Sequence, residues 1–448
     1  MTAILALLVA ICLLIPARYA AASLPVIWLL QSRILGPDGL LLSAGSVHIS
    51  VADVVLLGLL SKLLFRIATT REVPVDKPLY AAIGIYLVVN LLSTLAAGAK
   101  FGNSQMIPCA TSLARFISEI IIIPILAQAI TTIPQARRCV MIVLVTLAVL
   151  VAIQFINFFG ASHGIVIGEV QGIERGEERY FGPIGDSVGV VLLLGYVVAL
   201  CFANLPGIFA FLGGILLTAG LGAIFSAAVA SLLFVLLASS SPARRRFPKY
   251  TLAILPAIVL SLAIVLGSGK GIAKTLLERV TTGHAESSGT QRLESASVAK
   301  NMILQNPGLG VGYMGYQPAL ERYGGGRVFD LDHLDGATAN ANNQFLQTLT
   351  DAGIIGLAAF GILVFCAARL FYRIATHSGD PLFASFFLGA FLWLLALFFG
   401  DLASVWLVPS AFVARFLWIL LGIAVAVQRL LPVPAAREFA ESSQFVHA

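Results

Sequence analysis

Apolar runs of about twenty residues recur along the whole chain, and this repetition limits the fold more than any other feature of the sequence. A helix of roughly twenty apolar residues spans the hydrocarbon core of a bilayer, which is about 30 Å thick. Only 11% of the 448 residues are charged and 59% are hydrophobic, whereas a soluble domain carries about 25% charged residues. The sequence therefore predicts an all-α polytopic membrane protein.

The apolar runs predict about twelve transmembrane helices. The first run contains Pro16 and Pro25, which indicate a broken or re-entrant element. The region 207–240 fits two short helices or one long one, and two are expected because it exceeds a normal span of about 20 residues. The predicted spans lie near 3–31, 48–68, 77–98, 106–131, 139–161, 186–204, 207–222, 224–240, 250–268, 343–369, 381–400 and 409–430.

The distribution of basic residues predicts the orientation of these helices. With the N-terminus in the cytoplasm, the inner connections hold most of the arginines and lysines, including the run Arg244–Arg246. Apart from the loops at 162–185 and 270–342, the outer connections carry only Arg18, Arg33 and Lys100. Positive residues remain on the cytoplasmic side of membrane proteins, so both termini are expected there.

This orientation divides the chain into three parts. Residues 1–269 form nine helices with a short outer loop at 162–185, residues 270–342 form one large, partly helical outer loop, and residues 343–448 form the last three helices and a cytoplasmic tail. Chemistry in the two outer loops would take place where neither ATP nor sugar nucleotides are available.

Several other kinds of site are excluded by sequence spacing. The net charge of +6 is explained by topology, so no nucleic-acid partner is expected. The five cysteines lie in or beside apolar segments without a CxxC spacing, and the histidines have no metal-ligand spacing. Gly310-x-Gly312-x-x-Gly315 matches the dinucleotide fingerprint in letters only, because it follows a predicted helix rather than a strand. Neither a metal nor a cofactor is expected.

The polar candidates lie in the outer loops and in the membrane. Arg179 precedes an aromatic-Gly-Pro turn at the membrane edge, and a group of acids and a base in the large loop comprises Asp330, Asp332, His333 and Asp335. A catalytic cluster and a solvated acidic turn explain this group equally well. Within the membrane, Arg115 and Glu119 could pair along one helix face, and Asp401 could pair with Arg415.

Three segments resemble the bacterial O-antigen ligase and polysaccharide polymerase superfamily. They are Arg179-Tyr-Phe-Gly-Pro, then Ser288-Gly-Thr-Gln-Arg292 running through NMILQNPGLGVGYMGYQ, and ANNQFLQTLTDAGIIGL at 341–357. The resemblance implies transfer of glycans from polyprenyl diphosphate on the periplasmic side of the bacterial inner membrane, without a metal. It also implies that arginines at the positions of Arg179 and Arg292 bind the diphosphate. Arg115 is a weaker third candidate, because its predicted place in the outer half of its helix could bring it to the same cavity, but a buried pair with Glu119 explains it equally well.

The superfamily resemblance leaves the catalytic base open. The ligases carry a histidine just before the Asn that opens the third segment's helix, and this chain has Asn342 there. An amide cannot accept a proton near neutral pH, so Asn342 is expected to orient a hydroxyl or a sugar. Asp335 and His333 are the leading candidates for the base, ahead of Asp332.

The departure at Asn342 favours a polymerase of lipid-linked repeat units over a ligase that moves glycan to lipid A core. The expected partners are the polyprenyl-diphosphate-linked donor and acceptor, membrane lipid, a flippase and a chain-length regulator. A transporter of lipid-linked glycans is the alternative without covalent chemistry. It is disfavoured because the sequence lacks an internal duplication and has a loop of about seventy residues.

The predicted topology can be tested with cysteines introduced at Ser241 and Ser287. An impermeant thiol reagent added to intact cells is expected to label the cysteine at 287 and not the one at 241, because 241–249 is basic and predicted to be cytoplasmic. Labelling at 241 but not at 287 would contradict both the topology and the outer location of the site.

Overall fold

The structure is a computed structural model that describes residues 16–22, 40–44, 47–50, 58–65, 69, 76–167, 169–172, 178–182, 188–218, 221–238, 288–324, 340–400, 405 and 412–431. Its described part is mainly helical, as the sequence predicts. Thirteen helices in it are named here: α1 Ala17–Ala22, α2 Lys77–Phe101, α3 Asn103–Ile120, α4 Ile122–Ala129, α5 Ile133–Gly160, α6 Val188–Cys201, α7 Leu205–Leu217, α8 Leu221–Ala238, α9 Ser288–Gln305, α10 Tyr316–Ala319, α11 Gln344–His377, α12 Pro381–Gly400 and α13 Phe412–Leu430.

Six helical segments of the described residues are long and apolar enough to cross a membrane: α2, α3 with α4, α5, α11, α12 and α13. The shorter helices α6, α7 and α8 are also apolar. The region 207–240 holds two helices, as predicted. The predicted span at 250–268 and most of the one at 3–31 lie outside the described residues, so the total of twelve stays a prediction. The chain is a multi-pass membrane protein.

Two short antiparallel hairpins add to the predicted all-α fold. Strand β1 Leu40–Ala44 pairs with β2 Val47–Ser50, just before a helical stretch at 58–65. Strand β3 Glu169–Gly172 pairs with β4 Glu178–Gly182 inside the predicted outer loop 162–185. The second hairpin lies against α5 and α6. Four- and five-residue strands carry too little periodic pattern for the sequence to distinguish them from loops.

The helices pack into one bundle, in which α6 and α13 are the most deeply buried. Helix α11 contacts α2, α12 and α13, while α6 packs against α7, α8 and α12. Buried faces are continuous across these helices, but α2, α5 and α11 also expose large apolar side chains. These include Val88, Leu92, Val145, Ile362 and Phe365. Exposed apolar faces of this size fit lipid rather than water.

Polar side chains fix where two of the long helices begin. The Asp76 carboxylate accepts from the Leu79 amide at 3.0 Å at the start of α2, where proline follows at the second position. The Asn343 side chain accepts from the Leu346 amide at 2.9 Å at the start of α11. Each cap satisfies an amide that the helix itself leaves without an acceptor.

A second, smaller apolar cluster lies beneath α9. Its buried members come from α9, from the turn that follows and from the residue before Asn342: Val298, Ala299, Met302, Val311, Tyr316, Ala319, Leu320, Tyr323 and Ala341. Helix α9 covers this cluster with Val298, Ala299 and Met302, while Leu293 and Lys300 are exposed. The cluster holds part of the predicted outer loop against the end of the bundle.

Helix α11 is broken at Gly353, and the break determines where the outer segments attach. Gly353 has φ 65° and ψ −163°, a conformation that essentially only glycine adopts. The backbone groups beside the break bond to the segment that follows α9. These bonds run from Val311 N to Thr350 O at 2.9 Å, from Gly312 N to Asp351 O at 3.0 Å and from Ile354 N to Pro307 O at 2.9 Å.

Replacing Gly353 with alanine should destabilise the protein strongly. The added Cβ would overlap the Gly308 carbonyl, and the backbone conformation alone costs about 1–3 kcal/mol for a residue other than glycine. We expect a lower melting temperature in detergent, measured by fluorimetry. The control is Gly361→Ala in the same helix, where the new Cβ has open space and alanine is favoured by about 0.5–1 kcal/mol. Equal effects of the two changes would contradict the role of the break.

Candidate functional site

Glycines allow the segment after α9 to lie directly against the break in α11. Gly310 and Gly312 have positive φ values of 70° and 102°. A Cβ at Gly310 would overlap the backbone of Thr350 and Asp351. The Gly310-x-Gly312-x-x-Gly315 spacing, which resembles a dinucleotide fingerprint in letters, is therefore explained by this close backbone approach.

Asp351 lies at the centre of this contact. Its side chain is 4% exposed, and one oxygen accepts from Gln347 Nε2 at 2.9 Å. The backbone of Met314, Gly315 and Tyr316 lies close to the same carboxyl group. A buried carboxyl group away from water requires a hydrogen-bond partner, and Gln347 is one. Met314 adopts a left-handed backbone conformation, with φ 54°.

Gln347 connects Asp351 to the residues that precede α11. Its side chain is 1% exposed, and its Oε1 accepts from the Ala341 amide at 2.9 Å. The Nε2 of the Gln347 side chain donates to Asp351, which lies one helical turn further along α11. Both polar ends of Gln347 are therefore used, and the position of the chain at Ala341 depends on them.

Asn342 follows Ala341 and adopts a left-handed backbone conformation, with φ 51°. Asparagine tolerates this conformation better than most residues. Its backbone amide donates to Asn340 Oδ1 at 2.8 Å, and its side chain donates from Nδ2 to Ser295 Oγ at 3.2 Å. The residue at the expected catalytic position therefore lies against α9.

Ser295 and Tyr316 complete the set of residues around Asp351. The Tyr316 hydroxyl donates to the Ser295 carbonyl at 3.0 Å, and the Tyr316 amide faces Asp351. Burial raises the pKa of Tyr316 to about 12, so its hydroxyl keeps its proton near neutral pH and remains a donor. We call this set the Asp351 ring; its members are Asp351, Gln347, Ala341, Asn342, Ser295 and Tyr316.

Two of the predicted site residues come together at the Asp351 ring. Arg292 belongs to α9 and precedes Ser295 by one helical turn. Because Ser295 accepts from Asn342, the backbone of Arg292 lies within a turn of the Asn342 contact. Segments that are about 50 residues apart in sequence therefore meet at one end of the bundle.

The other predicted arginines lie elsewhere. Arg179 is in β4, where it pairs with Gln171 of β3 in the hairpin beside α5 and α6. Arg115 is exposed on α3. It is ten residues from Gln105, whose Nε2 donates to Val311 O and Gly315 O at 2.9 Å each. Ten residues span about 15 Å of helix, so Arg115 lies that far along α3 from the contact of Gln105 with the segment after α9.

Glu119 of α3 forms an ion pair with Arg415 of α13. Arg415 Nε and Glu119 Oε1 are 2.9 Å apart, with side chains that are 12% and 3% exposed. Between this pair and the Asp351 ring, Phe116 contacts both Tyr313 of the outer segment and Trp418 of α13. The pair thus links α3 to α13 in the interior of the bundle. Asp401, the predicted partner of Arg415, lies outside the described residues.

The candidates for the catalytic base also lie outside the described residues. They are Asp335 and His333, with Asp332 and Asp330 beside them, and their roles stay predictions. Among the residues that the structure describes, no group of three His, Cys, Asp or Glu side chains is arranged to hold a metal. The cysteines at 109, 139, 201 and 366 are free thiols.

Sequence reasoning overlooked Asp351, Gln347 and Ser295. The signal for Asp351 was present, because it is a carboxylate inside the predicted span at 343–369, where ionisable residues are costly and usually functional. Gln347 lies one turn before Asp351, on the same helix face. Ser295 has no sequence signal of its own, since only the fold brings it to Asn342.

The bundle and the Asp351 ring define a multi-pass membrane protein with a polar site at one end of its helices. Residues 206–361, roughly a third of the chain, match the family model for O-antigen ligase. The match covers the whole Asp351 ring and confirms the predicted resemblance to the O-antigen ligase and polymerase superfamily. No curated protein matches the chain in a sequence search.

If Gln347 positions Asn342, Gln347→Met should lower glycan transfer without unfolding the protein. Methionine fills similar space but bonds to neither Asp351 nor the Ala341 amide. We expect faster amide hydrogen exchange at 340–344 and a transfer rate reduced about tenfold or more. The control is Gln344→Met, one turn earlier and equally buried, which loses a bond from Nε2 to Thr348 Oγ1 at 3.3 Å.

A double-mutant cycle separates positioning from general stability. Asn342→Gly removes the side chain while tolerating the positive φ. When it is combined with Gln347→Met, the transfer rate should fall little below that of Asn342→Gly alone. Additive losses, or a Gln344→Met variant as impaired as Gln347→Met, would contradict the positioning role.

Proposed function

We propose that this protein polymerises polyprenyl-diphosphate-linked oligosaccharide repeat units on the periplasmic side of the inner membrane. The observation that carries the proposal is the bond from Asn342 Nδ2 to Ser295 Oγ at 3.2 Å. It joins the third superfamily segment to the helix that contains Arg292 in the second. These are the two segments expected to supply the sugar-orienting and diphosphate-binding groups.

The proposed reaction transfers a glycan from one lipid carrier to the end of another glycan. An acceptor hydroxyl attacks the anomeric carbon, the new glycosidic bond forms, and the bond to the diphosphate oxygen breaks. Negative charge develops on the departing diphosphate, and the guanidinium groups of Arg292 and Arg179 stabilise it with fixed, paired N–H donors. The lipid tails lie against apolar helix faces such as those exposed on α2 and α5.

The proton of the acceptor hydroxyl must pass to a base. Asn342 provides only an orienting hydrogen bond, because its amide has no lone pair that titrates near neutral pH. Asp335 or His333 takes the proton, from a loop whose C-terminal end is joined to the Asp351 ring through Asn340 and Ala341.

Ligation to a lipid A core is the second candidate, because the matching family model is described as O-antigen ligase. The superfamily's ligases carry histidine at the position of Asn342, and this chain lacks that base. The two reactions share the lipid-linked donor but differ in the acceptor. A polymerase extends a second lipid-linked repeat unit, whereas a ligase needs the core lipid.

The experiment uses purified full-length protein in proteoliposomes with lipid-linked repeat unit as the only glycan. Polymerisation predicts a ladder of longer lipid-linked products, and a ligase would give product only after core lipid is added. Arg292→Ala and Arg179→Ala should each lower the rate by about 100-fold or more, and Arg→Lys should rescue only in part because the planar fork is lost. Arg373→Ala, at the exposed C-terminal end of α11, is the control.

Normal ladders from both Arg292→Ala and Arg179→Ala, at protein levels equal to wild type, would exclude the diphosphate role of these arginines. Product that forms only with core lipid would favour the ligase instead. In the same assay, near wild-type rates from both Asp335→Ala and His333→Ala would exclude these two residues as the base.

A further inference from the structure

Two cations approach the same aromatic ring at the end of α2. Lys100 Nζ lies 5.2 Å from the centroid of the Phe101 ring, and Arg322 Cζ lies 4.7 Å from it. Phe101 also meets Tyr323 edge-on at 6.5 Å and packs against the apolar cluster beneath α9. The ring is therefore held by packing, while both cationic side chains are exposed. Attraction to the ring's face stabilises each cation there.

A buried asparagine fixes the position of the Lys100 ammonium. Asn306 Oδ1 accepts from Lys100 Nζ at 2.6 Å. The amide nitrogen of Asn306 donates to the Tyr323 hydroxyl at 2.8 Å and to the Met302 carbonyl at 2.9 Å. Asn306 is only 9% exposed, so its orientation is determined by these bonds. An ammonium has three N–H donors, and Asn306 uses one of them.

This arrangement differs from that of an ordinary lysine near a membrane surface. Such a lysine extends freely towards water and headgroups. Here the ammonium is held by a neutral acceptor, and a guanidinium approaches the same ring from another chain segment, about 220 residues away in sequence. Two like charges held together repel each other unless an anion lies between or beside them. Glu321, the residue before Arg322, supplies one negative charge against these two positive charges.

The location indicates which anion is available. Helix α2 is long and apolar enough to cross the membrane and ends at Phe101, so Lys100 lies at the level where lipid phosphates are found. Arg and Lys bind phosphate through charge-assisted N–H···O bonds. Asn306 directly follows the end of α9 and is eleven residues beyond Ser295, the contact of Asn342. Eleven residues correspond to about 16 Å along a helix, so the Lys100 site lies that far along α9 from the Asn342 contact.

We propose that Lys100 and Arg322, arranged around Phe101, form a binding site for the phosphate of a membrane lipid. The two sources of this phosphate are an anionic phospholipid headgroup and a polyprenyl phosphate carrier. The site requires only that α2 ends at the membrane surface. It does not depend on the proposed polymerase reaction, so either proposal can fail without the other.

The test measures lipid binding to the purified full-length protein by native mass spectrometry. Phosphatidylglycerol and polyprenyl monophosphate are titrated separately, with phosphatidylcholine as the zwitterionic reference. The variants are Lys100→Gln, Arg322→Gln and both together, with Lys300→Gln as the control because Lys300 is an exposed lysine on the neighbouring helix α9. Melting temperatures in detergent establish that each variant is folded.

We expect each single change to weaken binding of the preferred lipid about fivefold, and the double change to weaken it further. Arg322→Lys should retain most of the affinity, and Glu321→Gln should raise it because a nearby carboxylate is removed. An effect confined to phosphatidylglycerol identifies a headgroup site, and one confined to polyprenyl monophosphate identifies a carrier site. A folded double variant that binds both lipids as tightly as Lys300→Gln does would overturn the proposal.

Discussion

The buried carboxylate of Asp351 is the group on which the arrangement of this end of the bundle depends. A charge-bearing side chain in a helix that crosses hydrocarbon must be surrounded by donors. The side chain of Gln347 is one such donor, and the backbone of Met314, Gly315 and Tyr316 lies close by. The glycines at 310 and 353 allow this close approach, because a Cβ at either position would overlap the backbone opposite. The break in α11, the turn after α9 and the Asp351 ring therefore depend on one another.

The helices could be predicted from the sequence because apolar length is a local property. The spans that became α5, α11 and α12 are recognisable from their own residues, and the division of 207–240 into two helices followed from length alone. The hairpins β1–β2 and β3–β4 could not be predicted, since four or five residues carry little periodicity. The partner of Glu119 could not be predicted either. Arg115 is its neighbour at the next turn of the helix, but the ion pair that the structure describes is with Arg415, 296 residues away.

At the candidate site too, single residues could be recognised from sequence motifs, but contacts between distant segments could not. Asn342 was recognisable from its place in the third superfamily segment, and Arg292 from the second. Their proximity was not, because it depends on Ser295, whose contact with Asn342 joins residues 47 positions apart. The glycine motif at 310–315 is not expected to be a dinucleotide fingerprint, because it follows a helix rather than a strand. Its actual role needed the structure, since a small residue at a close backbone contact looks the same in sequence as one in a phosphate loop.

The contacts of Gln105 have a consequence for how the protein is made. Its side-chain amide donates to carbonyls that lie 206 and 210 residues further along the chain. At a synthesis rate of about 5–20 residues per second, roughly 10–40 s separate the emergence of this residue from that of its acceptors. During that interval α3 is already in the translocation machinery or the bilayer, and the Gln105 amide must bond to water or headgroups instead. Its position in the first turn of α3, at the membrane boundary, makes this interim state tolerable, whereas the same residue at mid-membrane would favour misinsertion or recognition by quality-control proteases.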